Sequence, residues 1–243
     1  MKVRLLRRTL VWMFAAMVAL SLIALAFNIF AKPASLAHLL NADYVKIDIR
    51  SGRYRVSPAV RVKDCEEFSG MMSRLRPYAA INGTFFDTDY KPQGDLVANG
   101  KVLCRGHHHQ GIGFTKSGKI LFFVRKPNSR INWRGCESGI SAGPSLVRNG
   151  KLAINVKKDG FSSKAATIKA NRSAIGATKD GKLIMCVVSE PITLGMMGYL
   201  MIELGAKDAI NLDGGGSCGL YKDGRCIVEP TSPVSNVLAV YRR

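Results

Sequence analysis

Asp208-Ala209-Ile210-Asn211-Leu212-Asp213-Gly214-Gly215-Gly216-Ser217 carries a short apolar strand into an acid and three glycines, and Cys218-Gly219-Leu220-Tyr221 then leads to a hairpin at Asp223-Gly224. A carboxylate at the end of a buried strand, followed by three glycines, is more than packing requires. Glycine takes backbone angles closed to other residues and lets a ligand come close to the main chain. Successive N–H groups in such a loop form an anion-binding concavity. One acid beside an anion cradle is what parting a sugar from a phosphate requires. The same residues also fit a tight turn whose Asp caps its own loop, so the decision falls to the rest of the chain.

Upstream, Thr193 to Leu204 reads as a helix that stops at Gly205 and delivers the chain into the strand. Asn99-Gly100, Ser117-Gly118, Asn149-Gly150, Asp180-Gly181 and Asp223-Gly224 each stand between strand-like runs and are followed by Lys or Arg. These are hairpin signals, because tight turns need residues that accept positive φ. Tyr44 to Ile49 alternates apolar and polar side chains, as a half-buried strand does. Asp64 to Arg74 is the second expected helix, with Asp64 as N-cap ahead of Glu66 and Glu67. The expected class is α+β, with antiparallel-rich mixed sheets built from hairpins and two main helices. Residues 157–172 are polar and weakly periodic, and are expected to form a mobile flap.

The 243 residues suffice for a full core without staples. Lys2, Arg4, Arg7 and Arg8 precede an apolar run from Leu10 to Ala31 that only Ser21 and Asn28 interrupt. At about 1.5 Å per residue the run is long enough to span a bilayer, and the basic flank predicts a cytoplasmic N-terminus. The expected organisation is a basic tail (1–9), a transmembrane signal anchor (10–31), a linker (32–43) and a working domain (44–243) outside the cytoplasm. Cleavage after Ala31 would instead give a secreted product. Six cysteines lie beyond the anchor and allow up to three disulfides, with Cys218–Cys226 across the last hairpin as one candidate. No CxxC pair points to zinc.

The net charge is +19. Such a surface concentrates anions, whether phosphosugars, anionic polymers or lipid headgroups. No nucleic-acid fingerprint accompanies it, so nucleic acid is not an expected partner.

Ala80-Ile81-Asn82-Gly83-Thr84-Phe85-Phe86-Asp87 ends a second strand in an amide that both donates and accepts, as a sugar hydroxyl requires. Phe85 and Phe86 read more simply as core. His107-His108-His109 cannot converge on one ion from a strand and reads as a loop cluster, so neither metal nor cofactor is expected. Arg172 opens a strand and offers a planar fork for phosphate. Glu190, at the end of the strand from Leu183, is expected at the same sheet rim as Asp213, since glycosidic cleavage commonly uses two carboxylates.

AINGTFF, GPSLVRNGK, RSAIG, ELGAKDAINLDGGGS and the closing VSNVLAV stand in the order seen in the phosphodiester glycosidase family, which this chain resembles over residues 44–242. Bacterial relatives are often labelled exopolysaccharide biosynthesis proteins. The resemblance implies hydrolysis between a sugar's anomeric carbon and a phosphodiester oxygen, in a phosphorylated glycan or an anionic envelope polymer. Carried over by motif, Asn82, Arg172, Asn211, Asp213, Gly214, Gly215, Gly216 and Ser217 fall in the active-site region. Asp213 and Glu190 are the expected catalytic pair, Arg172 and the glycine amides the expected phosphate ligands, and Asn82 the sugar ligand. Two other classes stay open: a membrane-anchored binder of anionic polysaccharide, and a P–O cleaving phosphodiesterase.

Overall fold

The computed structural model describes residue 17 and residues 35–61, 63–126 and 128–243. The chain divides into two units, 1–35 and 36–243, and the second is the subject here. Apart from residue 17, the expected membrane span lies outside the described residues. Among those described, no helix is long and apolar enough to cross a membrane.

The unit opens with α1 (Leu36–Leu39), β1 (Ala42–Asp48), β2 (Tyr54–Val60), α2 (Phe68–Leu75) and β3 (Ala79–Asn82). A run of hairpins follows: β4 (Leu96–Ala98), β5 (Lys101–Cys104), β6 (Gln110–Phe114), β7 (Ile120–Val124), β8 (Ser138–Ala142), β9 (Ser145–Arg148) and β10 (Lys151–Leu152). The remainder is β11 (Ala170–Thr178), β12 (Lys182–Ile192), α3 (Leu194–Glu203), β13 (Ala206–Asn211), β14 (Leu220–Lys222), β15 (Arg225–Val228) and β16 (Asn236–Arg242). They form three antiparallel sheets, ordered β1-β12-β11-β13-β9-β10, β15-β14-β3-β16-β2 and β5-β4-β8-β6-β7.

All five turn signals close hairpins. At Asn99-Gly100, Asn149-Gly150 and Asp223-Gly224 both residues have positive φ, the backbone of the two-residue turn that matches strand twist.

Period-two alternation explains the layering. Ile175, Leu183, Met185, Val187 and Ile210 of the first sheet meet Ile81, Leu238 and Val240 of the second and Leu96, Ile112 and Ile140 of the third in one shared core. The alternate residues of the first sheet, Ala174, Ile184, Cys186, Val188 and Ala209, face α3. Likewise Ala80, Val237 and Ala239 turn the second sheet's outer face to Phe68, Met71 and Met72 of α2. Burial on both faces is why β12 reads as an unbroken apolar run instead of alternating. Leu194, Met197, Leu200 and Met201 of α3 are all fully buried, each worth about 1.5–3 kcal/mol of removed apolar surface.

The α3 boundaries follow the sequence: Thr193 Oγ1 caps Met196 N–H, and Gly205 at φ +88° ends the helix. The start of α2 does not. Asp64 is engaged by Arg61 at 2.7 Å and by Cys65 N–H, so the helix begins four residues later, behind Glu67, which caps nothing. Residues 157–172 are not a loose flap. Asp159 is buried and accepts from Gln110 Nε2 and from Ser145 N–H at 2.8 Å, while Phe161 stacks on His108. The disulfide expectation also fails, because all six cysteines are free thiols. Cys226 lies opposite Tyr221 in the β14–β15 ladder, and buried Cys218 stands before β14 begins.

Candidate active site

β13 pairs with β11 through Asn211 opposite Ala174, and Leu212 N–H extends the ladder to Ser173 C=O at 2.8 Å. The chain then turns into the glycine loop. Asp213 N–H donates to Gly83 C=O at 3.1 Å, and Asn82 Nδ2 donates to Asp213 C=O at 2.9 Å. Asn82 Oδ1 accepts from Gly219 N–H at 3.2 Å. One buried amide therefore grips the loop at both ends. Asn82, expected on the sugar, has both its polar atoms engaged within the protein.

The carboxylate of Asp213 accepts from Gly214 N–H at 2.9 Å and from the Ser217 hydroxyl. Burial raises its pKa, and these two bonds oppose the rise without cancelling it. Asp213, Gly214, Gly215 and Gly216 are nonetheless only partly buried, so the loop reaches the surface of the unit, while the Asp213 carboxylate itself is largely withdrawn from water.

The three glycines have different reasons. A Cβ on Gly214 would lie 2.8 Å from Asn171 C=O, and one on Gly216 would lie 2.6 Å from Ser232 Oγ. Gly215 faces open space and is required by its φ of +64°. Gly214 N–H belongs to Asp213, whereas the N–H groups of Gly215 and Gly216 have no acceptor among the described residues. Two of the three loop amides are therefore left without a protein acceptor among the described residues. Gly216 C=O is held from outside by Thr231 N–H at 2.9 Å and Ser232 N–H at 3.2 Å.

The strand that carries Arg172 reaches this loop through Asn171, whose C=O lies 2.8 Å from where a Gly214 Cβ would stand, and through Ser173, whose C=O accepts from Leu212 N–H. Burial pushes the neighbouring Cys218 thiol up to about 11. Arg172 Nε and Nη2 donate to Ile192 C=O at 3.2 Å and Ile168 C=O at 2.6 Å, which fixes the guanidinium plane. Asn211 lies beneath the loop, with Nδ2 on Leu212 C=O and Gly143 C=O and no partner for Oδ1. Glu190 is exposed on β12 and accepts from Asn41 Nδ2 at 2.8 Å; the register sets it beside residues 170–172 of β11, where Asn171 adjoins Gly214.

Two features escape sequence reading. Asn236 is buried, with Oδ1 on Thr84 N–H at 2.8 Å, Nδ2 on Thr84 C=O at 3.0 Å and C=O on Gly83 N–H at 3.0 Å. It fixes the segment that carries Asn82, and its one signal was a polar pair, Ser235-Asn236, opening an apolar strand. The second is a ring triangle. His108 stacks on Phe161 at 5.3 Å and lies 5.1 Å from Phe85, which is 5.7 Å from Phe161. His108 is no exposed loop histidine: burial and its two histidine neighbours depress its pKa to about 3.

The family model for phosphodiester glycosidase matches residues 76–241. The chain belongs to the phosphodiester glycosidase family. It is therefore an enzyme of glycosidase type, and the matched segment takes in the glycine loop, Asn82, Arg172 and Asn236. The fold agrees. A hypothetical protein from Synechocystis superposes with a TM-score of 0.75 at 18% identity, over 83% of this chain and 59% of that one. The zebrafish N-acetylglucosamine-1-phosphodiester alpha-N-acetylglucosaminidase catalytic domain, auto-inhibited by pro-peptide, superposes with a TM-score of 0.68 at 21% identity, over 83% of each chain. This chain spans less than two thirds of the Synechocystis protein. No curated protein matches in sequence.

Proposed function

We propose that the chain hydrolyses the glycosidic bond of a sugar-1-phosphodiester in a phosphorylated glycan or an anionic envelope polymer. The observation that carries this reading is the desolvated Asp213 carboxylate, raised in pKa, on a partly exposed loop beside two unengaged amides. A phosphodiester leaving group is a weak base and needs little help from a general acid. The larger demands are a carboxylate that stabilises an oxocarbenium-like transition state or activates water, and donors for the leaving oxygens.

Asp213 supplies the carboxylate, as nucleophile or base. Gly215 and Gly216 N–H, with Arg172, face the phosphate. Asn82, Asn211 and Ser217 position the loop. Glu190, held by Asn41 on an exposed flank, takes no part in this reading. The placement is extracytoplasmic, through residues 10–31 as a membrane anchor or after their removal, and rests on the N-terminal sequence alone.

Incubating the full-length chain with a panel of sugar-1-phosphodiesters should release free sugar, and Asp213→Asn should slow release by about 10²–10⁴-fold. Full activity in that variant overturns the role of Asp213. Saturable binding without release would favour the binding module, and release of a sugar phosphate would favour P–O cleavage.

A further inference from the structure

β2 and β16 pair with Arg55 opposite Tyr241 and Tyr54 opposite Arg242. The Arg55 guanidinium lies 4.2 Å over the Tyr241 ring, and that of Arg242 lies 4.7 Å over Tyr78. Stacking on a ring face holds a guanidinium plane in place and leaves its edge donors free for an anion. A third arginine joins them from the end of α2. Arg76 has φ 48° and ψ 49°, a left-handed C-cap where glycine or asparagine is usual and other side chains are strained.

Arg55, Arg76 and Arg242 line a cavity of about 370 Å³ whose one acid, Asp223, pairs with Arg242 at 2.9 Å. Arg55 also lines a second cavity of about 300 Å³, with Lys116, Arg243 and Glu137. Because Arg55 lines both, the two cavities are neighbours, and between them this grooved face carries five cationic and two acidic side chains. Neither Arg55 nor Arg76 has an ion-pair partner among the described residues. None of the exposed large apolar side chains lines the groove, which disfavours a bilayer surface, where apolar groups would have to insert. Val237 pairs with Asn82, and Arg242 is five residues further along β16, about 17 Å at strand rise. The groove and the glycine loop therefore occupy opposite ends of one sheet.

We propose that this groove is a second binding site, for an extended anionic glycan that carries carboxylate or phosphate groups at intervals. A single phosphate would need one cavity; two that share an arginine suit successive charges. The site goes beyond the hydrolytic reading and does not depend on what Asp213 cleaves.

The test is calorimetric titration of the full-length chain, in neutral detergent, with a polygalacturonate decamer, tripolyphosphate and soluble dihexanoyl-phosphatidylglycerol. The decamer should bind, more tightly than tripolyphosphate, and Arg55→Ala with Arg76→Gly should weaken it by at least about ten-fold. Arg76→Gly alone should melt at or above the wild-type temperature, because glycine accepts the left-handed backbone, so weaker binding cannot be blamed on misfolding. Release of sugar from a small sugar-1-phosphodiester should be unchanged in the double variant, which separates this site from Asp213. No decamer binding, equal decamer affinity in wild type and variant, or binding of the lipid in preference to the decamer overturns the proposal.

Discussion

Asp213-Gly214 and Asp223-Gly224 are the same dipeptide, ten residues apart, with opposite fates. At Asp223-Gly224 both residues have positive φ, the turn is exposed, and the carboxylate meets only the exposed Arg242. At Asp213-Gly214 the glycine is kept small by Asn171 C=O, and the acid is wedged between Gly83, Asn82 and Ser217. A local turn needs its own backbone angles and nothing more. A site needs other segments to close on it.

The sharpest break between the two comes at the acids. Asp213→Asn should abolish most turnover, and the acid limb of the wild-type rate profile should lie above the ordinary carboxyl value of 3.8, because a raised pKa keeps Asp213 protonated to higher pH. The sign for stability is the reverse of that for activity. A raised folded pKa gives stabilisation that is full below the unfolded value and lost as pH rises through the folded one. Thermal melts at neutral pH should therefore find Asp213→Asn at or above the wild-type temperature while its activity is lost.

Asn82→Ala comes next. It removes two hydrogen bonds to loop backbone groups and should cost about 2–3 kcal/mol, with turnover falling as the carboxylate loses its support; melts and initial rates on one preparation check both. Gly214→Ala should cost about 1–3 kcal/mol, because its Cβ meets a backbone oxygen that cannot rotate away. Gly224→Ala, open to solvent and opposed only by φ, should cost about 1 kcal/mol and leave initial rates unchanged. Smallest of all, Asp223→Asn should shift stability by less than about 1 kcal/mol and activity not at all, as a melt and a rate measurement will show.

The same contrast explains what the sequence disclosed. Asn99-Gly100 or Asp223-Gly224 announces a hairpin because its backbone chemistry lies within two residues, and Thr193 with Gly205 marks α3 for the same reason. Asn82 could not be read, since its partners Asp213 and Gly219 are 131 and 137 residues away. Asp64 misled because Arg61, three residues back, competes for the carboxylate that would have capped α2. Glu190 has its hydrogen bond from Asn41, 149 residues earlier, a contact that no local spacing announces. Buried Cys218 and exposed Cys226 looked pairable across one turn until the strand register separated them.

β16 runs between β2 and β3; Thr231 and Ser232 just before it clasp Gly216, and its first residue, Asn236, clasps Thr84. An unfinished polypeptide that has passed Asp213 but not Asn236 would own every proposed catalytic group and still be unable to assemble them. Up to that point the proposed site stays unassembled, and competence arrives only when β16 takes its place between β2 and β3. Removing a dozen residues from this end should silence the protein as surely as deleting the acid.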